Sequence, residues 1–444
     1  MSELALLGGR KAVTVKRVSP AWPHYSGRAI ATVAMMLCTA RGNAIGHNRV
    51  VREAEAKFAD YHGVRYALAL STGTGALHSA LAGCGIEPGD EVITSPYSWG
   101  ATTACILHHG AVPVFADVLP DTGLLDPARV AEKITPRTRA IVVVHLYGQP
   151  ADMPALQAIA QQHHLQLIED ASQAHGARLG GKLVGTLSHA AGFSCMTSKL
   201  LAATELGMLL TDDRQTYERA LLLSQHTSRL EEEPSAHSGG LGAEYLPYAD
   251  SLSYNYRATG LDCVLLMDQL PHLAGWNRAR AANRDHFVSL VGDLACVRFP
   301  QYPAGIEPTY HIATFCYDEE KALGVTRDTF LAALVAEGVD MFIYVNQPIP
   351  LFPRLQTQAG PIPSAPWLPG LRNAGIRYTA DDLPVCLDLA RKRAVQMRFN
   401  AFIEPEPKLM RQYADAFHKV AENLPCLLER QQAGQAAQPV GGRM

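Results

Sequence analysis

Two side chains of this 444-residue chain have types and positions suited to covalent chemistry, the carboxylate of Asp170 and the amine of Lys199. The run Leu165, Gln166, Leu167, Ile168 ends in Glu169 and Asp170, as a buried parallel strand would if it delivered an acid at its C-terminal edge. A second run, Ala190 to Met196, is followed by Thr197, Ser198 and Lys199. In open α/β sheets ligands bind beyond the carboxyl ends of the strands. The two groups can therefore face one pocket although 199 − 170 = 29 positions separate them.

An amine and an acid held in such a pocket suit pyridoxal phosphate. The lysine would bond the cofactor's aldehyde, and the aspartate would keep the pyridinium nitrogen protonated so that the ring withdraws electrons. Singly, each residue has a plainer reading. A lysine after a strand is ordinarily a solvated loop residue, and an aspartate at a strand end is ordinarily a helix cap.

The neighbours strengthen the chemical reading. Ser71, Thr72, Gly73, Thr74 and Gly75 stand where a strand turns into a helix, and small residues there let backbone N–H groups approach a phosphate favoured by the helix dipole. The spacing is neither a Walker loop nor a dinucleotide fingerprint. Trp99, in the segment after the next strand, lies at the same sheet edge, where an indole could stack on a planar ring or simply pack in the core.

Around these residues strands alternate with helices: Tyr66 to Ser71, Glu91 to Tyr97, Val112 to Val118, Ala140 to Tyr147 and the run to Asp170, separated by helices at 75–84, 101–109, 127–134 and 153–164. This alternation predicts an α/β fold with a mostly parallel sheet covered on both faces, followed by a smaller C-terminal α/β domain. The expected organisation is an N-terminal arm over 1–45, a large domain over 46–275, a small domain over 276–430 and a disordered tail over 431–444. The arm is expected to lie on another surface, such as a second subunit. Glu231 to Gly242 reads as a mobile loop, Pro271 as a helix interruption, and Leu383 to Val395 as a helix.

The hydrophobic share of 48% can fill two cores, while a net charge of −3 gives no electrostatic reason to expect nucleic acid or an anionic membrane as partner. Nine cysteines without a CxxC pair argue for reduced thiols in a cytoplasmic protein and against a metal centre. The first residues do not read as a signal peptide, and no apolar run reaches membrane-spanning length.

In order, STGTGAL at 71–77, PYSWGAT at 96–102, VHLYGQPADM at 144–153, EDASQAHGA at 169–177, FSCMTSK at 193–199 and YNYR at 254–257 resemble the DegT/DnrJ/StrS aminotransferases, fold type I pyridoxal-phosphate enzymes. The resemblance implies that Lys199 and Asp170 are the catalytic residues, that Gln173 sits beside the cofactor's ring oxygen and that Trp99 stacks on the ring. It further implies phosphate binding by Thr74, Gly75 and Ser194. Asn255 would reach the phosphate of a neighbouring subunit's cofactor, which makes the expected partner a second copy in a homodimer with shared sites.

The activity so implied moves an amino group from glutamine or glutamate to a keto-cyclitol or keto-sugar. The early LLGG and SPAWP segments lean toward the keto-cyclitol branch of aminoglycoside pathways. One rival is a dehydratase or lyase on the same fold; a second, a non-catalytic cofactor-binding relative, is kept open by Thr204 and Leu206, which stand where the family commonly has glycine. The sugar dehydratase branch carries histidine in place of the lysine, so Lys199 counts against the first.

Overall fold

In the computed structural model the described residues are 3–39, 48–231, 241–250, 252–357, 370–371 and 374–434. The expected loop at 231–242 falls mostly outside them, and so does the expected tail beyond 434. Seven strands form the larger sheet: β1 (Tyr66–Leu70), β2 (Glu91–Thr94), β3 (Val112–Phe115), β4 (Thr138–Val144), β5 (Gln166–Asp170), β6 (Ala190–Ser194) and β7 (Gly207–Thr211). Their spatial order is β1-β7-β6-β5-β4-β2-β3. The pairs from β6 through to β3 are parallel, and β7 runs antiparallel to both β6 and β1.

Near-continuous apolar runs explain the buried strands, since β4 presents Ala140 to Val143 fully buried. The helices have clear boundary signals. α1 (Gly27–Cys38) is capped by the Ser26 hydroxyl; α2 (Arg49–His62) is capped by the Asn48 side chain and stopped by Gly63 at φ 71°. α3 (Gly73–Gly83) follows β1, α4 (Ala101–His108) follows β2, and α5 (Pro127–Glu132) and α6 (Met153–His163) cover the crossovers to β4 and β5. α7 (Arg214–Ser224) packs against α3.

From α8 (Gly260–Gln269) the chain passes through a single 3₁₀ turn, Leu270–His272, into α9 (Leu273–Val291). The first of these helices thus stops at Gln269, just ahead of Pro271, as the expected interruption requires. Pro271 occupies a first-turn position, where its missing N–H costs no ladder bond. A second sheet in the order β8-β9-β11-β10 comprises β8 (Val297–Arg298), β9 (Ile312–Tyr317), β10 (Met341–Phe342) and β11 (Ala394–Arg398), all antiparallel. It packs with α10 (Arg327–Glu337) and α11 (Pro407–Glu422) around Phe315, Phe330, Phe399 and Phe417.

One expectation is corrected. The helix expected over 383–395 ends at Asp388, continues as one wide turn, and becomes β11 at Ala394. Pairing of this segment with both β9 and β10 overrides its helical apolar spacing. Residues 5–19 of the N-terminal arm are bonded to the small domain of their own chain. The Glu337 carboxylate accepts the N–H groups of Ala5 and Ala12 at 2.7 and 2.9 Å, Gln412 accepts those of Thr14 and Val15, and Glu406 accepts those of Val18 and Ser19. An irregular segment has no ladder partners, so these acceptors satisfy its backbone.

Candidate active site

β5 and β6 are parallel neighbours with Asp170 opposite Gly192, so the segment that leaves β6 carries Lys199 back over the end of β5. Strand alternation sends the two adjacent acids apart. Glu169 points into the core, where it accepts from Gly185 N at 2.7 Å, Leu187 N at 2.9 Å and Ser188 Oγ at 2.7 Å, with His145 Nε2 at 3.1 Å. Burial pushes its carboxyl up, but these bonds offset burial and leave the net shift downward. Asp170, only 5% exposed, faces the other way. Its Oδ2 accepts the Thr102 hydroxyl at 2.6 Å, and its Oδ1 accepts Ser172 N at 3.1 Å.

Lys199 is buried, and burial pushes its amine below the ordinary lysine value while the Asp170 charge pulls the other way. A depressed amine pKa raises the fraction of nucleophilic free base, the property a carbonyl-bonding lysine needs. The short turn that presents it is closed by Lys199 N donating to Met196 O at 2.8 Å.

The turn after β1 meets the end of β6 closely. A Cβ at Gly73 would lie 2.6 Å from the Ser194 Cβ, so glycine is what lets Ser194 abut the first turn of α3. The Thr72 hydroxyl caps that helix by accepting Gly75 N at 3.0 Å. Thr74 stands half-buried in the first turn, and the helix terminus as a whole favours an anion.

Gln173 is fixed at both ends, its Oε1 accepting Tyr147 N and its Nε2 donating to the Tyr344 hydroxyl, each at 2.8 Å. Trp99, in the loop just before α4, has 53% of its surface exposed, an indole face not consumed by the core. Asn255 is exposed at φ 61°, in a segment anchored on either side by Tyr254 N to Leu223 O and Tyr256 N to Ser224 O, both 2.8 Å. The structure thus gathers Lys199, Asp170, Thr74, Gly75, Ser194 and Gln173 at one sheet edge, with Trp99 beside them and Asn255 presented outward.

Residues 30–368 match the DegT/DnrJ/EryC1/StrS aminotransferase family. The chain belongs to that family. It is 39% identical over 298 residues to the L-glutamine:2-deoxy-scyllo-inosose aminotransferase of Streptomyces fradiae, covering 66% of this chain and 69% of that protein. The enzyme of the same name from Micromonospora echinospora is 33% identical over 409 residues, 91% of this chain and 94% of its own. Among solved structures, DesV from S. venezuelae superposes with a TM-score of 0.70 at 29% identity, covering 89% of this chain and 94% of DesV.

This aminotransferase has the fold type I architecture of its pyridoxal-phosphate-dependent relatives. Its donor set fits that cofactor: a buried, depressed amine, a carboxylate steadied by two donors, and a helix N-terminus abutting a serine. Thr204 and Leu206 are both tied into the fold beside the lysine turn. Thr204 N and its hydroxyl both bond Asp262, which caps with Thr259 the start of α8, and Leu206 is fully buried in the core.

Residue-by-residue reading missed Thr102 and Tyr344 as site members. Thr102 sits inside the PYSWGAT segment, so its signal was its place at the start of the helix that follows Trp99. Tyr344 comes from the second sheet, 171 positions from Gln173, and no local pattern announces that contact.

Proposed function

We propose that this aminotransferase holds pyridoxal phosphate through Lys199, Asp170, Gln173, Trp99, Thr74, Gly75 and Ser194, and moves an amino group from glutamine or glutamate to the ring ketone of a keto-cyclitol or keto-sugar. The carrying observation is the buried Lys199 amine over the strand end where Asp170 is fixed by Thr102. When bound, the cofactor supplies an electron sink that stabilises negative charge at the substrate carbon. Asp170 would hold the proton on the ring nitrogen, Thr102 keeps the carboxylate aimed, and Gln173 holds its place through Tyr147 and Tyr344. Lys199 would be the amine that holds the cofactor and, when free, the base that moves the proton at the reacting carbon.

The substrate class is supported by relatives named L-glutamine:2-deoxy-scyllo-inosose and L-glutamine:scyllo-inosose aminotransferases, the latter from Streptomyces griseus at 36% identity over 341 residues. In this reading two copies assemble, each lending Asn255 to the cofactor phosphate of the other. Support comes from the outward Asn255 and from exposed apolar side chains nearby and on α1, Leu252 at 89% and Met35 at 66%. The nine unpaired cysteines fit a cytoplasmic setting. Incubation of the purified, cofactor-loaded protein with glutamine and a panel of keto-cyclitols and nucleotide-linked keto-sugars tests the reading. An aminated cyclitol or sugar supports it, and a deoxygenated product overturns it.

A further inference from the structure

Arg280 on α9 is fully buried, and among the described residues no carboxylate pairs with it. Burial alone pushes its guanidinium down to about 9. A buried cation without a counter-ion is costly, so its retention calls for a specific use of its donors. Those donors run in two directions. Nε and one terminal nitrogen both donate to the Asn400 carbonyl, at 3.0 and 2.7 Å, and the other terminal nitrogen donates to Asn277 Oδ1 at 2.7 Å.

Each recipient passes the constraint to a catalytic segment. Asn400 Nδ2 donates to the Ser198 carbonyl at 2.9 Å, and Asn277 Nδ2 donates to the His175 carbonyl at 2.9 Å. A third branch runs through the arm: the guanidinium lies 5.5 Å from the Trp22 ring centroid, and Trp22 Nε1 donates to the Lys199 carbonyl at 3.1 Å. Trp276 packs edge-on to Trp22 at 5.5 Å and completes the enclosure.

We propose that Arg280 is a positioning residue that sets the reach of Lys199 toward Asp170, acting through Asn400 and Trp22 on the lysine turn and through Asn277 on the segment that carries Asp170 and Gln173. One rigid planar fork holds both segments at a fixed separation, which a flexible ammonium cannot do. The arrangement also ties the lysine to the arm and to the segment after β11, so parts of the chain far from the pocket register its geometry. The inference rests on Lys199 being the reacting lysine.

The test uses the full-length protein and compares wild type with Trp22→Phe, Asn277→Leu, Arg280→Lys and Arg280→Met. Trp22→Phe keeps an aromatic ring under the guanidinium and removes only the indole N–H. The first readout is the pH dependence of acylation at Lys199 in cofactor-free protein, read by peptide mass spectrometry. The second is the division of the effect between kcat and KM for the donor in loaded enzyme. For Trp22→Phe and Asn277→Leu we expect a midpoint shifted by about half a unit and kcat lowered about tenfold with KM within about twofold, since small misplacements of reacting groups cost rate rather than affinity. Arg280→Lys should lose as much as Arg280→Met, because the fork and not the charge carries the effect. Unchanged labelling midpoints in folded Trp22→Phe and Asn277→Leu, or full recovery with Arg280→Lys, overturn the proposal. Full activity in Lys199→Ala would instead overturn the assignment of the lysine itself, and the two failures are thereby told apart.

Discussion

The Thr102 hydroxyl donates to Asp170 Oδ2 at 2.6 Å, joining the second residue of α4 to the last residue of β5. The bond leaves the carboxylate one fixed orientation at the sheet edge, with Ser172 N holding its other oxygen. Thr102→Val keeps the shape and removes the donor. A hydrogen bond to a charged group contributes roughly 1.5 kcal/mol, so kcat should fall about tenfold. Asp170→Asn should remove most activity and leave the fold intact, and steady-state kinetics beside circular dichroism checks both variants.

Stability should decline as pH falls through the histidine range. Burial lowers His62 and His78 from 6.5 to about 4 and His175 to about 3, and pushes His311 well below its ordinary value. The folded state therefore binds fewer protons than the unfolded state between these values. Stability then rises with pH across that window and is lost as pH falls from about 6.5 toward about 4. Denaturant titrations across this range should show the loss, and His62→Phe should flatten the dependence by up to about one proton. An unaltered slope in that variant would contradict the buried-neutral assignment.

Glu55 on α2 is fully buried, paired with Arg229 at 2.8 Å, and accepts Ala69 N of β1 at 2.9 Å. Breaking one side of a buried pair leaves a charge without its compensation, so Glu55→Ala should cost about 3–5 kcal/mol. Urea unfolding measures it. A loss below about 1 kcal/mol would place the pair among surface ion pairs in effect.

Gly207 begins β7 directly against the turn that precedes α3, and a Cβ there would overlap the Thr72 carbonyl. Gly207→Ala must move either the strand pairing of Leu70 with residue 207 or the first turn of α3. The expected outcome is destabilisation by about 1–3 kcal/mol together with weakened pyridoxal phosphate binding. Thermal melts with and without added cofactor report the two effects separately.

Much of the larger sheet was legible because β1 to β4 are buried apolar runs each followed by a helix. Strand ends came out shorter than the apolar runs: β2 stops at Thr94 where Ser95 turns the chain. What local pattern could not show was long-range pairing. The segment 394–398 becomes a strand only because β9 and β10 flank it, and the arm settles on Glu337, Gln412 and Glu406 through backbone donors that carry no side-chain signature. Within the site, Lys199 and Asp170 stood out by position after apolar runs. The network that steadies them, Thr102, Arg280, Trp22 and Asn400, is assembled from four distant stretches and is visible only in three dimensions.

The central claim is that the amine at position 199 is the one that bonds the cofactor. Purified protein loaded with pyridoxal phosphate, reduced with borohydride and digested, gives a direct answer by peptide mass spectrometry. A single pyridoxyl adduct on the peptide containing Lys199, absent from Lys199→Ala, is the predicted result. An adduct on another lysine, or none in protein that turns over substrate, would contradict the account.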